Sequence, residues 1–339
     1  MLRILMYRLA GAVPVLLLVT LSIFFMLRMA PGDAAATLAP EDATPAEISK
    51  LRAQWGLDQP VLVQFGLFVK SAVTFEFGDS YRYGTSISSL IADRLPATLE
   101  LSIAALLIAV VIAVPLGIFG AMRRGRVADG AASIFAVAGV SAPSFWIGIL
   151  LVMLFAERMD MLPSGGRLPM PSNLQLDTGF VILDSIVQGD WLSFTAGIRH
   201  LILPATTLAL GMLGVIMRIT RSSVIDVSQE EFVTTAVAKG LTRREVIRKH
   251  VMPNAALPIL TIIGLEIGTL ISGSIIVEVV FSWPGLGSLL YQSVTVRDIP
   301  LTTGIVVSYT FLFILVNLLV DTSYSLIDPR IRTSMSTKK

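Results

Sequence analysis

Six apolar segments are the main constraint on how this chain folds, because each is about as long as a membrane-spanning helix. A helix needs about 20 residues to cross a hydrocarbon core that is about 30 Å thick. The six segments are residues 9–27, 98–122, 131–156, 201–220, 255–281 and 303–320. With 54% hydrophobic and only 15% charged side chains, the chain carries more apolar surface than a soluble domain buries. We therefore predict an all-α membrane protein with six transmembrane helices.

The positive charges predict the orientation of these spans. Sixteen of the 26 Lys and Arg residues fall on one side: at both termini, after the second span and in the loop after the fourth. Cytoplasmic loops carry such an excess, so both termini are predicted to be cytoplasmic. The first span follows Arg3 and Arg8, but it is longer than the apolar core of a usual signal peptide. We interpret it as a retained anchor.

The spans divide the chain into four predicted regions. They are an N-terminal transmembrane helix (1–28), a long external loop (29–97), a five-helix core (98–322) and a cytoplasmic tail (323–339). In the first external loop, the apolar but charge-bearing stretch 61–77 predicts an interfacial or lumen-covering segment. The second external loop, 157–200, carries more acidic than basic residues, and its stretch 170–191 suggests no role.

Several classes of function find no support in the composition or the motifs. The chain has no cysteine, which excludes disulfides and thiolate chemistry. Its two histidines, His200 and His250, are too far apart in sequence to suggest a metal cluster. There is no Gly-x-x-x-x-Gly-Lys-Ser/Thr phosphate loop and no recognisable catalytic set, and a net charge of +2 does not argue for nucleic-acid binding. We predict a chain that is not an enzyme and binds no metal or cofactor itself.

A polar stretch between the fourth and fifth spans, residues 226–253, predicts a hairpin of two short helices. Ser228 with Glu231 and Thr242 with Glu245 both fit the capping box. In that motif a hydroxyl and a carboxylate three residues later satisfy each other's backbone amides. Gly240 lies between the two helices, where the backbone needs left-handed angles. A helix pair specified this well on a cytoplasmic loop is a candidate docking element.

Two other interpretations of the hairpin remain open. Short helices around a glycine also occur in DNA-binding helix-turn-helix motifs. The hairpin is tethered to two nearby spans, however, which argues against DNA binding. Alternatively, the hairpin is an amphipathic loop that only packs under the bundle, because an apolar stripe runs along each helix. The stripe residues are Phe232, Val233, Ala236, Val237, Val246, Ile247 and Val251.

Ionisable residues inside the spans are few, so each is a functional hypothesis. Glu266 is the deepest, and Thr261, Thr269 and Ser272 are nearby in sequence as possible partners. It either faces a wet cavity, where it could touch a cationic substrate group, or is a structural side chain that is held neutral or hydrogen-bonded to a neighbouring helix. Glu100, Glu278 and Arg218 lie close enough to helix ends to reach the surface. If Glu266 carried protons or ions, the chain would be a self-sufficient secondary carrier. That class is typically built from matched repeat halves, and none is evident here.

Several stretches together resemble one known family. In its cytoplasmic loop, that family carries Glu-Ala-Ala, three residues, a glycine and later a proline. Here Ala236, Gly240 and Pro253 match, while Thr234 and Thr235 replace the first Glu and Ala. The other similar stretches are Leu57-Asp-Gln-Pro60, Phe77-Gly-Asp-Ser80, Arg94-Leu-Pro-Ala-Thr-Leu99, Glu278-Val-Val-Phe-Ser-Trp-Pro-Gly-Leu-Gly287, Arg297-Asp-Ile-Pro300, Val316-Asn-Leu-Leu-Val-Asp321 and Asp328-Pro-Arg-Ile-Arg332. The chain thus resembles the inner-membrane permeases of binding-protein-dependent ABC importers, in the dipeptide, oligopeptide and nickel branch.

This resemblance implies a type I ABC importer permease fold and a set of partners. Two homologous permeases would enclose one pathway in the bacterial inner membrane, surrounded by lipid, and this chain resembles the first of the pair. Two ATPase subunits would bind ATP and Mg²⁺, an extracytoplasmic binding protein would deliver peptides or a similar small solute, and no nucleic acid would take part. A short helix of the hairpin would seat in a groove of an ATPase. The expected coupling residues are Glu231, Thr234, Thr235, Ala236, Lys239, Gly240 and Pro253.

Overall fold

The computed structural model describes residues 43–123, 142–169 and 174–327, together with short runs between residues 14 and 39. This described part is helical, with one isolated antiparallel bridge between Asp79 and Ser86. Its helices are α1 (Pro45–Gln54), α2 (Val61–Thr74), α3 (Ile87–Met122), α4 (Ser144–Leu151), α5 (Val181–Gln188), α6 (Trp191–Ser228), α7 (Glu231–Ala238), α8 (Arg243–Val246), α9 (Met252–Val280), α10 (Leu286–Thr295) and α11 (Ile299–Ile327). Two π-helices, Val152–Arg158 and Ile247–Val251, follow α4 and α8 directly.

Within the described residues, four helices are long and apolar enough to cross a membrane. They are Ile87–Met122, Trp191–Ser228, Arg243–Leu270 and Ile299–Val320, and they contain most of the second, fourth, fifth and sixth predicted spans. Much of the first span and the beginning of the third, residues 131–141, lie outside the described residues. The multi-pass helical architecture is therefore confirmed, whereas the count of six spans stays a prediction.

The chain groups into two compact units. The first unit comprises Met1–Thr98, Leu176–Phe180 and Pro284–Leu315, and the second comprises Leu99–Gln175, Val181–Trp283 and Val316–Lys339. Two of the long helices, α3 and α11, contribute residues to both units. The hairpin and both of its neighbouring spans, α6 and α9, belong to the second unit.

A buried carboxylate organises the first unit. Asp298 is fully buried, and it accepts hydrogen bonds from Ser80 Oγ at 2.5 Å and from the Arg82 amide at 3.0 Å. It also caps α11, because it accepts from the Leu301 amide at 3.1 Å. Three donors offset the free energy of removing this charge from water. Two stretches that the sequence singled out separately, Phe77–Ser80 and Arg297–Pro300, therefore meet at one side chain.

In the second unit, α6 is the central helix. It packs against α4, α5 and α9, and 61% of its most apolar window is buried, compared with 22–28% for the other three spans. Its contact with α3 is close, because a Cβ added to Gly117 would lie 2.7 Å from Thr220 Cβ. Small residues allow such close backbone approach between membrane helices. The less buried spans keep wide apolar faces for lipid or for another subunit.

Candidate functional site: the hairpin between α6 and α9

The first hairpin helix, α7, ends at the glycine turn that the sequence predicts. Gly240 has a φ of 83°, a left-handed angle that residues with a side chain rarely adopt. Its amide donates to Val237 O at 2.9 Å, and the Leu241 amide donates to Ala236 O at 3.4 Å. These two bonds form a Schellman motif, which satisfies the last carbonyls of α7. No described atom lies within 4 Å of a Cβ placed on Gly240, so the backbone angle, and not lack of space, requires glycine.

The capping box predicted for Thr242 and Glu245 is confirmed. The Thr242 amide donates to Glu245 Oε2 at 3.0 Å, and the Glu245 amide donates to Thr242 Oγ1 at 3.4 Å. Such a cap stabilises a helix start by about 1 kcal/mol. Only the two residues Leu241 and Thr242 separate the turn at Gly240 from α8, so the angle between the two hairpin helices is specified locally.

The capping box predicted for Ser228 and Glu231 is wrong. Ser228 is the last residue of α6, and its Oγ donates back to Val224 O at 2.5 Å. The residue before α7 is Glu230, whose side chain makes no capping hydrogen bond. Because α6 continues as far as Ser228, the hydroxyl is captured by the carbonyl four residues earlier, as serines inside helices commonly are.

The hairpin is packed onto the ends of the neighbouring spans. Its buried side chains share one apolar cluster with residues of α6 and α9. The cluster consists of Val224, Val233, Ala236, Val246, Val251, Ala255 and Ile259, and Val114, Ile118 and Ala121 of α3 pack against it. The predicted stripes are thus only partly buried, because Phe232 and Val237 remain exposed. The hairpin is therefore joined to three spans through packed side chains.

A hydrogen bond at the end of α3 adds a second attachment. Arg243, the first residue of α8, donates from Nη2 to Met122 O at 2.6 Å. Met122 is the last residue of α3, where carbonyl groups have no partner within the helix and the helix dipole favours a positive charge. The hairpin is therefore attached to α3 as well as to α6 and α9.

The expected coupling residues fall into two sets. Ala236 is only 4% exposed and belongs to the apolar cluster, so it is a packing residue. The others are exposed: Glu231, Thr234, Thr235, Lys239, Gly240 and Pro253. With 100° between successive residues, Glu231, Thr234, Thr235 and Ala238 lie opposite Val233 and Ala236. These four exposed residues form the outer face of α7, and three of them have small side chains that allow close approach of a partner.

Glu266 has a local partner. It is half-buried in α9, and Thr269 Oγ1 donates to Glu266 Oε2 at 3.0 Å and to Glu266 O at 2.8 Å. Of the possible partners that the sequence suggested, the structure brings Thr269 to the carboxylate. This partner lies within α9 itself, whereas the structural interpretation expected a neutral Glu266 or a partner on a neighbouring helix.

Of the three charged residues predicted to reach the surface, Arg218 is exposed as expected. The prediction is wrong for Glu100 and Glu278. Glu100 is 7% exposed and Glu278 is fully buried. Arg167 Nη2 forms an ion pair with Glu100 Oε2, and the Ile182 amide donates to the other oxygen of Glu100 at 2.8 Å. The guanidinium carbon of Arg167 lies 5.6 Å from the centroid of the Trp283 ring, within cation–π range. Sequence reasoning missed this pair, since its members are separated by 67 positions.

The residues before Arg167 hold the loop 157–200 against α6 and the end of α9. The Gly166 amide donates to Phe281 O at 2.9 Å, and His200 Nδ1 lies 2.9 Å from Gly165 O. A Cβ added to Gly165 would collide with Phe281 O, so glycine is required for this close approach. The adjacent glycines Gly165 and Gly166, followed by Arg167, were the signal in the sequence that could have indicated this contact.

Comparison with known proteins places the chain in a family. The family described as "Binding-protein-dependent transport system inner membrane component" matches residues 113–333, and its N-terminal companion family matches residues 1–102. A probable D,D-dipeptide transport system permease protein, DdpB of Escherichia coli K12, is 39% identical over 97% of both chains. The dipeptide transport system permease protein DppB of Alkalihalophilus pseudofirmus is 38% identical over 98% of this chain and 100% of that one.

A solved structure supports the same fold. The MetNI methionine ABC transporter in an inward-facing conformation matches with a TM-score of 0.53 at 16% identity, over 71% of this chain and 97% of that chain. At this identity the similarity shows the fold alone, and it agrees with the permease fold that the resemblance implied. On the strength of both family matches and near full-length relatives, this chain belongs to the family of binding-protein-dependent inner-membrane transport components, the permease subunits of ABC importers.

Proposed function

We propose that this chain is one of two homologous permeases that enclose the pathway of an ATP-driven importer for peptides or similar small solutes. Relatives whose names specify dipeptide transport are 38–39% identical over almost the whole chain, which supports peptides as the cargo class. The coupling role is supported by the packing of the hairpin. Its two helices are joined to three spans, while the outer face of α7 is exposed.

In this proposal the outer face of α7 seats in a groove of a separate ATPase subunit. ATP and Mg²⁺ bind to the two ATPases, and this chain supplies no cofactor site. When the ATPases close, they displace α7, and the apolar cluster and the Arg243–Met122 bond pass that displacement to α3, α6 and α9. Thr234 stands where the family more often has Glu, so an ion pair from this position is replaced by a smaller contact.

The proposal includes a topology. Both termini and the hairpin lie in the cytoplasm, the loops 29–97 and 157–200 face outward, and membrane lipid surrounds the permease pair. An extracytoplasmic binding protein delivers the cargo, and selectivity rests largely with that protein. The four regions predicted from the spans, 1–28, 29–97, 98–322 and 323–339, remain the proposed division of the sequence.

Reconstitution with both ATPases, the second permease and the binding protein tests this function. Uptake of a labelled dipeptide into proteoliposomes should require ATP on the ATPase side. Competition of this uptake by tripeptides, by longer peptides and by nickel should define the cargo. An assembly that takes up none of these solutes with ATP would contradict the proposal.

The same vesicles test the secondary-carrier alternative, which finds no support among the relatives. With ATP withheld, a proton or sodium gradient should drive no uptake, and Glu266→Gln should not abolish ATP-driven uptake, because Thr269 satisfies Glu266 within its own helix. Gradient-driven uptake that is lost in Glu266→Gln would instead make Glu266 the coupling residue of a carrier.

A further inference from the structure

A cavity of about 480 Å³ lies between the hairpin and the ends of α3 and α6. Its size falls within the range of ligand pockets, about 300–1,000 Å³. Apart from Ser228, Gln229 and Arg243, the side chains that line it are apolar. The apolar walls include Ala121 and Met122 of α3, Val224 and Ile225 of α6, and Val233 and Val237 of α7. We call this space the hairpin cavity, and its walls suit a hydrocarbon chain.

The hairpin cavity lies at the edge of the apolar core of the membrane. Along α3, no charged residue occurs between Glu100 and Arg123, a length of about 33 Å that matches the hydrocarbon core. Met122, which lines the cavity, is the last residue of this run. In the helix that continues into α9, a charge-free run begins at Val251, two residues after Lys249, and Val251 also lines the cavity. Two helices therefore place the cavity at the depth where lipid headgroups begin.

Two arginines bring positive charge to this edge of the cavity. Arg243 lines the cavity and donates from Nη2 to Met122 O at 2.6 Å. Arg123 follows Met122 directly, and its guanidinium carbon lies 4.4 Å from the centroid of the Phe119 ring, one turn earlier in α3. Both arginines are exposed, and within the described part of the chain neither is paired with a carboxylate. An apolar cavity with two cations beside it is complementary to an anionic amphiphile.

The hairpin cavity lies on the inner side of α7. Val233, which lines it, is 6% exposed. The outer face of α7, which is proposed to meet the ATPase, is on the opposite side of the same helix. An ATPase seated on that face would therefore not fill the cavity, and the charge and depth of the site favour a lipid instead.

We infer that the hairpin cavity binds an acidic phospholipid of the cytoplasmic leaflet. One acyl chain lies against the apolar walls, and the phosphate accepts hydrogen bonds from Arg123 and Arg243. Basic pockets between membrane helices on the cytoplasmic side bind such headgroups. A zwitterionic lipid fits less well, because the two arginines repel its ammonium group.

A lipid in this position contacts α3, α6 and α7 together. It fills space between the hairpin and the spans, so acidic lipid strengthens the attachment of the hairpin. The inference uses the cytoplasmic position of the hairpin from the proposed function, but binding of the lipid does not require transport.

Photo-cross-linking in the assembled transporter tests this site. The complex of both permeases and both ATPases is placed in lipid nanodiscs with a phosphatidylglycerol that carries a diazirine in one acyl chain. Mass spectrometry then locates the adducts on this chain. We expect adducts on the apolar walls, such as Met122 and Ile225. Unlabelled phosphatidylglycerol should compete for these positions, while phosphatidylcholine and inorganic phosphate should not.

Charge variants separate the headgroup contact from the packing of the hairpin. Arg123→Gln with Arg243→Gln should lower the wall adducts about tenfold or more, because both cations that face the phosphate are lost. Arg123→Gln alone leaves the Arg243–Met122 bond in place and should lower them in the same direction. Arg123→Lys with Arg243→Lys keeps both charges and should keep most adducts. Arg248→Gln is the matched control, because Arg248 is an exposed arginine of the same hairpin that does not line the cavity.

Three outcomes would overturn the inference. Equal competition by phosphatidylcholine, with adducts spread over the exposed faces of α3 and α11, would assign the lipid to the general annulus. Competition by inorganic phosphate would make this a site for the phosphate ion alone. Walls that stay unlabelled in the wild type, or are labelled only when the ATPases are left out, would assign the cavity to protein. If the adducts behave as expected while the assembly takes up no solute in any lipid, the lipid site stands and the proposed function fails.

Discussion

Gly240→Val should separate the permease from its ATPase while the spans stay folded. Valine at a φ of 83° forces a β-branched side chain into the left-handed region, which costs about 1–2 kcal/mol or more. The strain is relieved when the turn opens, and the two Schellman bonds to Val237 O and Ala236 O are then lost. The outer face of α7 no longer keeps its angle to α8. Co-purification of the ATPases and ATP-driven uptake should both fall about tenfold or more.

Gly240→Asn is the matched control for this experiment. Asparagine tolerates left-handed angles far better than valine, and no described atom lies within 4 Å of the new Cβ. The asparagine variant should therefore keep most of the uptake and ATPase association. Equal loss in both variants would mean that glycine is needed for close contact with a partner, and no loss in either would remove the turn from the coupling role.

Arg167→Met should produce the largest loss of stability among these variants. It removes the cation from a buried ion pair and leaves the Glu100 carboxylate, 7% exposed, without its charge partner. Breaking such a pair destabilises proteins by about 3–5 kcal/mol, because one uncompensated charge stays buried. The temperature at which the purified assembly unfolds should drop clearly. Arg199→Met, which removes an exposed arginine bonded to Met161 O, is the control and should have little effect.

The double variant Arg167→Met with Glu100→Gln distinguishes the charge from the packing. A neutral amide can still accept the hydrogen bond from the Ile182 amide without a buried charge. This variant should recover part of the stability lost in Arg167→Met. If the double variant is no more stable than the single one, the loss is due to packing around Trp283 and not to the charge of Glu100.

Patterns that depend on neighbouring residues were readable from the sequence. The apolar runs predicted four of the helices that can span a membrane, and Gly240, Thr242 and Glu245 predicted the turn and the cap that follow α7. Each of these features depends on length, on one backbone angle or on bonds between residues three or four apart. The turn and the cap define the hairpin, which is the core of the candidate site.

Ser228 shows where the same reasoning fails. Its spacing to Glu231 equals that of Thr242 to Glu245, yet only the second pair forms a box, because α6 continues through Ser228 and captures its hydroxyl. The motif does not specify where the preceding helix ends. Near that end, Val224 belongs to the apolar cluster and Val227 packs against it, so the last turn of α6 contacts residues of other helices.

Burial of charged and small residues also depends on distant contacts. Glu100 pairs with Arg167, 67 positions away, and a hydropathy pattern contains no information about such pairings. Ala236 matches the family motif, as the exposed residues Gly240 and Pro253 do. Ala236 is nevertheless buried, because it packs in one apolar cluster with Val251 and Ala255.

A single cysteine on the outer face of α7 tests the proposed coupling most directly. Thr235→Cys, in a chain without other cysteines, is treated with a water-soluble maleimide before and after the ATPases bind to the permease pair. If the outer face seats in an ATPase groove, labelling of Thr235→Cys should slow severalfold when the ATPases bind, while Leu176→Cys, on the proposed external side, reacts unchanged. Equal labelling of Thr235→Cys with and without the ATPases would contradict the coupling role of the hairpin.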